Sequence, residues 1–278
     1  MTRAKPADLN YRKTFQSAAD LWALAHQWLP AAQAGDADAQ YHLYAIDREC
    51  HGVQTASFVR EGRLVSLDDA LRWDEALTGS RARAEHIQQE YGRCSGFYTH
   101  AASDLGDPLD WLQRATDAGQ PIAQSTTALL RLGQEQQALQ ARAAGTPPSS
   151  EPPIGGDADP RELLRMALAS KDPEVLFAIG SAQVVLNPTQ SRTDSRLNQW
   201  AWMAAACQRG LDCSEYGPPV SLPCAPAGSD CGTVPQMLLS WAGNNWAPIE
   251  ERVQQINAVL DEGQTEPLSQ LGLGSAGN

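Results

Sequence analysis

Residues 28–50 read WLPAAQAGDADAQYHLYAIDREC, and this stretch decides the fold. Small and apolar residues lead up to Gly35, and the same kind of residue continues at helical spacing to Leu43. Glycine suits the left-handed backbone that ends a helix, and an aspartate such as Asp36 is suited to start the next one. The stretch therefore predicts two helices joined by a tight turn.

The same arrangement recurs along the chain. Gly79 follows Gly35 by 44 positions, and Gly119 follows Gly79 by 40. Cys50 and Cys94 each lie 15 positions behind their glycine, so the two segments keep the same register. A period near 40 residues with two helices per unit is typical of stacked repeats, because one helix pair cannot cover its own apolar face.

Composition favours helices and argues against nucleic acid as a partner. Valine, isoleucine and phenylalanine are sparse, and no segment alternates apolar and polar residues over any length. The chain carries 21 Lys and Arg against 33 Asp and Glu, a formal charge of −12 that repels phosphate backbones and anionic lipid surfaces. No window approaches about 18 consecutive apolar residues, so the sequence predicts no membrane span.

Six cysteines indicate an oxidising compartment. Four of them fall within 25 residues rich in proline and glycine, where thiols would be exposed to oxidants. The amino-terminal residues, MTRAKPADLNYRKTF, lack the apolar core of a signal peptide. We therefore expect either a cytoplasmic protein or a mature region with a new Met1. The cysteines favour the second, a periplasmic or otherwise extracytoplasmic protein whose signal sequence and possible lipid tether are not present in this chain.

The clustered cysteines are predicted to form disulfides, although the sequence leaves the pairing open. Four cysteines allow three pairings, and short separations favour Cys207 with Cys213 and Cys224 with Cys231. Five, ten and six intervening residues do not match the paired CxxC knuckles of structural zinc sites. We expect cross-links to fix this loop, since it has few large apolar residues to bury.

Cys50 and Cys94 are also predicted to pair, which would tie two successive repeats. Equivalent positions in neighbouring repeats commonly lie about a helix diameter apart, beyond the limit of about 7 Å between the α-carbons of a disulfide. Both cysteines lie at helix ends, however, where the backbone can bend. Zinc held by Cys50, His51, Cys94 and His100 is the alternative, because these residues supply suitable ligands.

Few side chains suggest catalysis. His86 and Glu90 lie four positions apart on a predicted helix, where an acid–base pair and a solvated face are both possible. The sequence contains no glycine-rich phosphate loop, nucleophile elbow or HExxH motif. We expect no catalytic residue, no cofactor and no metal site.

Tryptophan provides the candidate binding residues. The chain has eight tryptophans and only four phenylalanines. Trp241 and Trp246 flank Gly243-Asn244-Asn245 near the end of the predicted helices. They either cap the last helix pair or contact a partner, since aromatic side chains carry much of the energy of protein interfaces.

Changes in composition predict the organisation of the chain. Residues 143–160, AAGTPPSSEPPIGGDADP, fit either a surface loop or a hinge between two helical subdomains. The predicted segments are a lead-in (1–16), N-terminal helical repeats (17–144), a linker (145–160), C-terminal helical repeats (161–263) with a cysteine-rich loop (211–234), and a flexible tail (264–278).

The central motif resembles a known repeat family. AAQAGDADAQYHL closely resembles the helix-turn-helix core of Sel1-like repeats, which are relatives of the tetratricopeptide repeat. WLQRATDAGQPIAQSTTALL resembles a second copy, and QWAWMAAACQRGLDCS resembles the first helix and turn of a further one. RELLRMALASKDPEVLFAIGSA resembles a degenerate copy in which Lys171-Asp172 stands in the place of Gly-Asp. Residues 51–69 depart from the family by lacking its glycine-rich loop between repeats.

The resemblance implies an all-α fold, a right-handed superhelical solenoid of helix pairs with a disulfide-bearing Pro/Gly-rich loop. It also implies a concave surface that binds a protein or peptide and performs no chemistry of its own. We expect a non-catalytic protein-binding scaffold of the bacterial cell envelope, for example an inhibitor or immunity protein against an envelope-targeting enzyme. A cell-envelope hydrolase of the cysteine-rich Sel1-like type and a cytosolic metal-binding regulator are the alternatives.

Overall fold

The structure is a computed structural model that describes residues 11–57, 59–60, 63–64, 66–69, 71–72, 81–100, 102–147, 154, 158–186, 190–213 and 246–263. These residues are almost entirely helical, which confirms the all-α prediction for this part of the chain. The helices are α1 (Tyr11–Ser17), α2 (Leu21–Gln33), α3 (Ala37–Ser57), α4 (Arg81–Thr99), α5 (Pro108–Asp117), α6 (Pro121–Ala143), α7 (Pro160–Ala169), α8 (Pro173–Ser181), α9 (Gln183–Leu186), α10 (Arg192–Gln208) and α11 (Trp246–Glu262). A 3-10 helix spans Ala102–Leu105.

One short ladder interrupts the helices. Strands β1 (Val59–Arg60) and β2 (Arg63–Leu64) pair in antiparallel fashion, with Val59 opposite Leu64. The ladder lies in the segment 51–69, where the chain departs from the repeat family. The sequence did not predict it, because two residues per strand are too few to show alternation.

The turns between helices have the predicted backbone geometry. Gly35, Gly119 and Gly210 adopt positive φ angles of 93°, 82° and 102°. Lys171, which stands in the place of a turn glycine, also has a positive φ, 58°. A side chain in this left-handed region costs roughly 1–2 kcal/mol. The lysine therefore adopts the same left-handed backbone as the three turn glycines.

The residue after each of three turns caps the next helix. Its side-chain oxygen accepts a hydrogen bond from a backbone N–H of the first helical turn, which satisfies a donor that the helix cannot pair internally. The pairs are Asp36 Oδ1 with Ala39 N (3.0 Å), Gln120 Oε1 with Ala123 N (2.6 Å) and Asp172 Oδ1 with Glu174 N (2.8 Å). Turn and cap together define one helix hairpin that the chain uses repeatedly.

The chain forms two compact units, and we describe each by itself. Unit 1 holds the described residues up to Ala115, and unit 2 holds those from Thr116 onward. In unit 1, α2 packs against α3, α4 packs against both, and α1 packs on α3. Trp28, Leu21 and Ile46 are fully buried in this core.

In unit 2, each helix packs mainly on its neighbours in sequence. Helix α6 contacts α7 and α8, α10 contacts α8 and α11, and the short α9 contacts α6 and α10. The last helix, α11, buries one apolar stripe at helical spacing: Ile249, Val253, Ile256 and Leu260. Helices α6 and α7, which flank the predicted linker 145–160, belong to one unit and pack against each other. Most of the linker lies outside the described residues, so its role stays a prediction. A superhelical arrangement of all the helix pairs stays a prediction.

None of the described helices combines the length and the apolar character that crossing a bilayer requires.

Candidate functional site

A disulfide joins Cys50 in α3 to Cys94 in α4. Their α-carbons lie 5.3 Å apart, and both side chains are buried. The expectation that both cysteines lie at helix ends is wrong, because α3 continues to Ser57 and the helix of Cys94 continues to Thr99. The bond forms within the two helices, which approach closely at these positions. The bond consumes both thiols, so the zinc alternative at Cys50, His51, Cys94 and His100 loses its two thiolate ligands.

Arg93, next to Cys94, reinforces this contact. Its Nη1 forms an ion pair with Glu49 Oε1 at 2.9 Å, and Glu49 precedes Cys50. Its Nε donates to the carbonyl of Ala18, and its Nη2 donates to the carbonyl of Phe15, both at 2.9 Å. One largely buried guanidinium therefore connects α4 to α3 and to the end of α1.

The second disulfide, Cys207–Cys213, closes the turn after α10. The α-carbons lie 5.7 Å apart, and both residues are half-buried. Arg209 lies within this turn, and it donates to Asn257 Oδ1 at 2.7 Å and to Asp261 Oδ1 at 2.6 Å, both on α11. The predicted partners Cys224 and Cys231 lie outside the described residues, so their pairing stays a prediction.

Four aromatic side chains surround His42 in unit 1, and we call this group the His42 box. The distances from the His42 ring centroid are 5.5 Å to Tyr11, 5.9 Å to Phe15, 5.4 Å to Trp28 and 5.4 Å to Tyr41. Tyr11 and Phe15 belong to α1, whereas Trp28 lies on α2 and Tyr41 on α3. Helix α1 thus supplies half of the box.

Burial shifts the pKa values of His42 and Tyr11, two titratable groups of the His42 box. It lowers the pKa of His42 to about 4, although the Asp38 carbonyl and the charges of Asp38 and Asp36 oppose this shift. The carbonyl of Asp38 accepts a hydrogen bond from His42 Nδ1 at 2.7 Å. Burial, followed by the charge of Asp36, raises the pKa of Tyr11 to about 12. His42 is therefore a neutral, packed histidine at neutral pH.

A second aromatic cluster surrounds Trp22 at the contact between α2 and α4. His100 stacks on the indole at 4.9 Å between centroids, and His26 and Phe97 contact it edge-on at 4.8 and 5.0 Å. His26 and His100 are exposed. Gly96 makes this contact possible, since a Cβ there would overlap Cβ and Cγ of Trp22. Sequence reasoning missed the cluster, although a glycine within a helix signals such a close approach.

Asp47 on α3 is half-buried, and burial raises its pKa, whereas the nearby His51 and Arg48 lower it and Asp107 raises it further. The acid–base pair considered from the sequence, His86 and Glu90, lies on α4. The side chains of these two residues lie outside the described part of the chain.

The predicted partner-binding tryptophans are not brought together among the described residues. Trp246 is the first residue of α11 and is half-buried, whereas Trp241 lies outside the described residues. Their role as contact residues stays a prediction.

No protein-family model matches this chain, and searches of curated proteins and of solved structures find no match. The Sel1-like resemblance therefore rests on the sequence motif, and the repeated turn geometry is consistent with that motif.

Proposed function

We propose that this protein is a non-catalytic scaffold, built from Sel1-like helix pairs, that binds a protein or peptide partner in the bacterial cell envelope. The observation that carries the proposal is the shared turn, with a left-handed residue at Gly35, Gly119, Lys171 and Gly210. Lys171 carries most weight, because a lysine retains this costly backbone only where the hairpin around it requires the turn. Stacked hairpins of this kind present extended helical faces, which serve as binding surfaces in repeat proteins.

The disulfides support an extracytoplasmic setting. Cys50–Cys94 and Cys207–Cys213 use every described cysteine. Structural disulfides of this kind persist in the periplasm or outside the cell and are rare in a reducing cytosol. The formal charge of −12 favours a partner that presents a basic surface, since opposite charge accelerates encounter. An inhibitor or immunity protein against an envelope-targeting enzyme is the form that we consider first.

The test compares binding with hydrolysis. The full oxidised chain is immobilised, exposed to an envelope extract, and the retained protein is then purified and titrated in solution. We expect saturable binding with one defined stoichiometry, and no release of soluble fragments from purified cell wall. Heat-denatured chain on the same resin is the control for non-specific adsorption. Turnover of cell-wall fragments, or no saturable partner, would contradict the proposal, and turnover would favour the hydrolase alternative.

Two truncations test whether α11 takes part. Trp246→Ala shortens a half-buried aromatic residue at the start of α11, and Met166→Ala shortens an exposed apolar residue on α7 of the same unit. If Trp246 contacts the partner, its truncation weakens binding at least about tenfold, whereas Met166→Ala changes it less than about twofold. Equal effects would exclude Trp246 as a contact residue.

A further inference from the structure

Helix α1 lies on unit 1 in the manner of a bound peptide. It has seven residues, of which only Tyr11 is buried. The Tyr11 hydroxyl donates to Asp36 Oδ2 at 3.1 Å at one end, and Arg93 Nη2 donates to the carbonyl of Phe15 at 2.9 Å near the other. These contacts hold the segment against a surface formed by α2, α3 and α4.

A helix of this length does not form by itself in water. Nucleation is unfavourable, and isolated helices shorter than about 12–15 residues are marginal even with good helix formers. The helical state of α1 therefore depends on docking, so undocking and unfolding of α1 form one local step. Segments with few buried contacts open at a much lower free energy than the core.

The surface beneath α1 recognises a specific pattern. Tyr11 and Phe15 lie four positions apart, hence on one face of the helix, and both rings contact His42. Tyr11 also contacts Trp28 at 5.0 Å, with its ring edge-on. The surface thus provides two aromatic positions, a carboxylate for the tyrosine hydroxyl, and an arginine for the carbonyls at the helix end.

Charge adds a further element to this pattern. Between its two rings α1 carries Arg12 and Lys13, and the surface that it covers carries Asp36 and Asp38. The positive charge of Arg12 acts on His42, which places this side chain near the box. A helix that replaces α1 must therefore be basic between its two rings, in keeping with attraction to a chain of formal charge −12.

We propose that the surface beneath α1 is an exchangeable docking site for a partner helix that is basic and carries a tyrosine and a phenylalanine four positions apart. The partner helix displaces α1 and occupies its contacts at the His42 box, Asp36 and Arg93. This inference rests on the proposed scaffold function and names the class of partner segment that the scaffold binds. While α1 is docked, it competes with the partner helix for these contacts. This competition lowers the apparent affinity of the site for the partner helix.

The test uses the full chain and a labelled peptide that spans residues 9–20, LNYRKTFQSAAD. The variant Tyr11→Ala/Phe15→Ala removes both rings of the resident helix and leaves the acceptor surface intact. Fluorescence anisotropy should show that the peptide binds the variant at least about tenfold more tightly than it binds the wild type, because α1 no longer competes. Equal binding to the two proteins, or no binding to the variant, would overturn the proposal.

Two controls accompany this test: a peptide of the same amino-acid composition and a protein variant with a substitution elsewhere in α1. A peptide with Phe15 and Gln16 exchanged, LNYRKTQFSAAD, places the rings five positions apart, on different faces of the helix, and should bind at least about tenfold more weakly. The variant Gln16→Ala keeps both rings as well as Arg12 and Lys13, and should bind the peptide as weakly as the wild type. Equal affinity for the two peptides would mean that the surface does not recognise the ring spacing.

The imidazole of His42 reports the docking event directly. An NMR titration should place its pKa near 4 in the wild type and closer to about 6.5 in the variant, where α1 no longer covers it. Added peptide should lower the pKa again. If the variant fails to fold, hydrogen exchange of the wild type decides: α1 amides should exchange at least about 100-fold faster than α3 amides. Equal protection of α1 and α3 amides would overturn the exchangeable site.

Competition in the capture experiment separates the two proposals. Excess unlabelled peptide should abolish retention of the envelope partner if that partner docks beneath α1. Undiminished retention would overturn the docking site and leave the scaffold proposal standing. Absence of any saturable partner, together with tight peptide binding to the variant, would overturn the scaffold function but not the docking geometry.

Discussion

Among the described residues, each unit contains one disulfide with an arginine close to it, and the two arrangements stabilise different parts of the fold. In unit 1, Cys50–Cys94 joins two helices across a sequence separation of 44 residues, and Arg93 binds backbone carbonyls more than 70 positions away. In unit 2, Cys207–Cys213 closes a separation of six, and Arg209 contacts the half-buried Asn257 and the exposed Asp261 on α11. Unit 1 is thus held by long-range specific bonds, whereas unit 2 is held mainly by apolar packing between neighbouring helices.

Removing the disulfides should show the largest difference between the units. In the loop-entropy description, loss of a bond across 44 residues costs about 4 kcal/mol of unfolding free energy, and across six residues about 2 kcal/mol. We therefore expect Cys50→Ala/Cys94→Ala to destabilise far more than Cys207→Ala/Cys213→Ala in urea unfolding followed by circular dichroism. Equal losses would show that the two bonds do not differ in this way.

A pair of helical glycines provides the second comparison. A Cβ at Gly96 would overlap Trp22, whereas a Cβ at Gly180 would lie 3.0 Å from Trp202 Cβ and 3.1 Å from the Gln199 carbonyl. Gly96→Ala should cost about 3 kcal/mol through overpacking. Gly180→Ala should cost at most about 1 kcal/mol, because the better helix propensity of alanine offsets a milder contact. Thermal unfolding of the two variants measures the difference, and a larger loss at Gly180 would contradict it.

Acid should weaken unit 1 selectively, since all five histidines precede residue 101. The folded pKa of His42, about 4, lies below its unfolded value of about 6.5. As pH falls, the unfolded state binds the proton first. The stability that neutral His42 provides is complete above about pH 6.5 and disappears as pH falls toward 4, a loss of about 2–3 kcal/mol at pH 4.5.

The check on this pH effect is a matched variant. His42→Gln should flatten the pH dependence of unit 1 unfolding between pH 7 and 4.5. The charges that face His42 come from Asp38, Asp36 and Arg12, and none of them is changed in this variant. An unchanged pH profile would assign the acid sensitivity to another group.

Replacement of Arg93 and of Arg209 by alanine should give the smallest difference in unfolding free energy between the units. Arg93→Ala removes largely buried hydrogen bonds to the carbonyls of Phe15 and Ala18 and should cost about 2 kcal/mol. Arg209→Ala should cost less than about 1 kcal/mol, because the Asp261 side chain is 67% exposed and its ion pair is screened. Urea midpoints of both variants test this order, and α1 amides should lose hydrogen-exchange protection only in Arg93→Ala. The reverse order would refute the contrast between the units.

Features that depend on a few neighbouring residues were predictable from the sequence. Gly35 and Lys171 mark turns because backbone geometry at a helix end depends on a few neighbouring residues. The Cys50–Cys94 bond was predicted against the spacing expected for equivalent repeat positions, and the two α-carbons lie 5.3 Å apart. Pro248 lies in the first turn of α11, a position where proline fits a helix.

Contacts between segments that are far apart in the chain could not be predicted from the sequence. We treated residues 1–16 as a lead-in, because a seven-residue helix with one buried ring shows no periodicity. The bonds from Arg93 to the carbonyls of Phe15 and Ala18 leave no trace in residue type, since any residue supplies a carbonyl. The grouping of α6 and α7 in one unit likewise depends on packing, whereas the Pro/Gly-rich stretch between them suggested a boundary.

Peptide mapping under non-reducing conditions tests the account most directly, because the fold of unit 1 and the proposed compartment both depend on the disulfides. The protein is purified without reductant, its free thiols are blocked, and it is digested and analysed by mass spectrometry. The account predicts linked peptides for Cys50 with Cys94 and for Cys207 with Cys213, and no blocked thiol at any of the four positions. Blocked thiols at Cys50 and Cys94, or a bond from either one to Cys207, would contradict it.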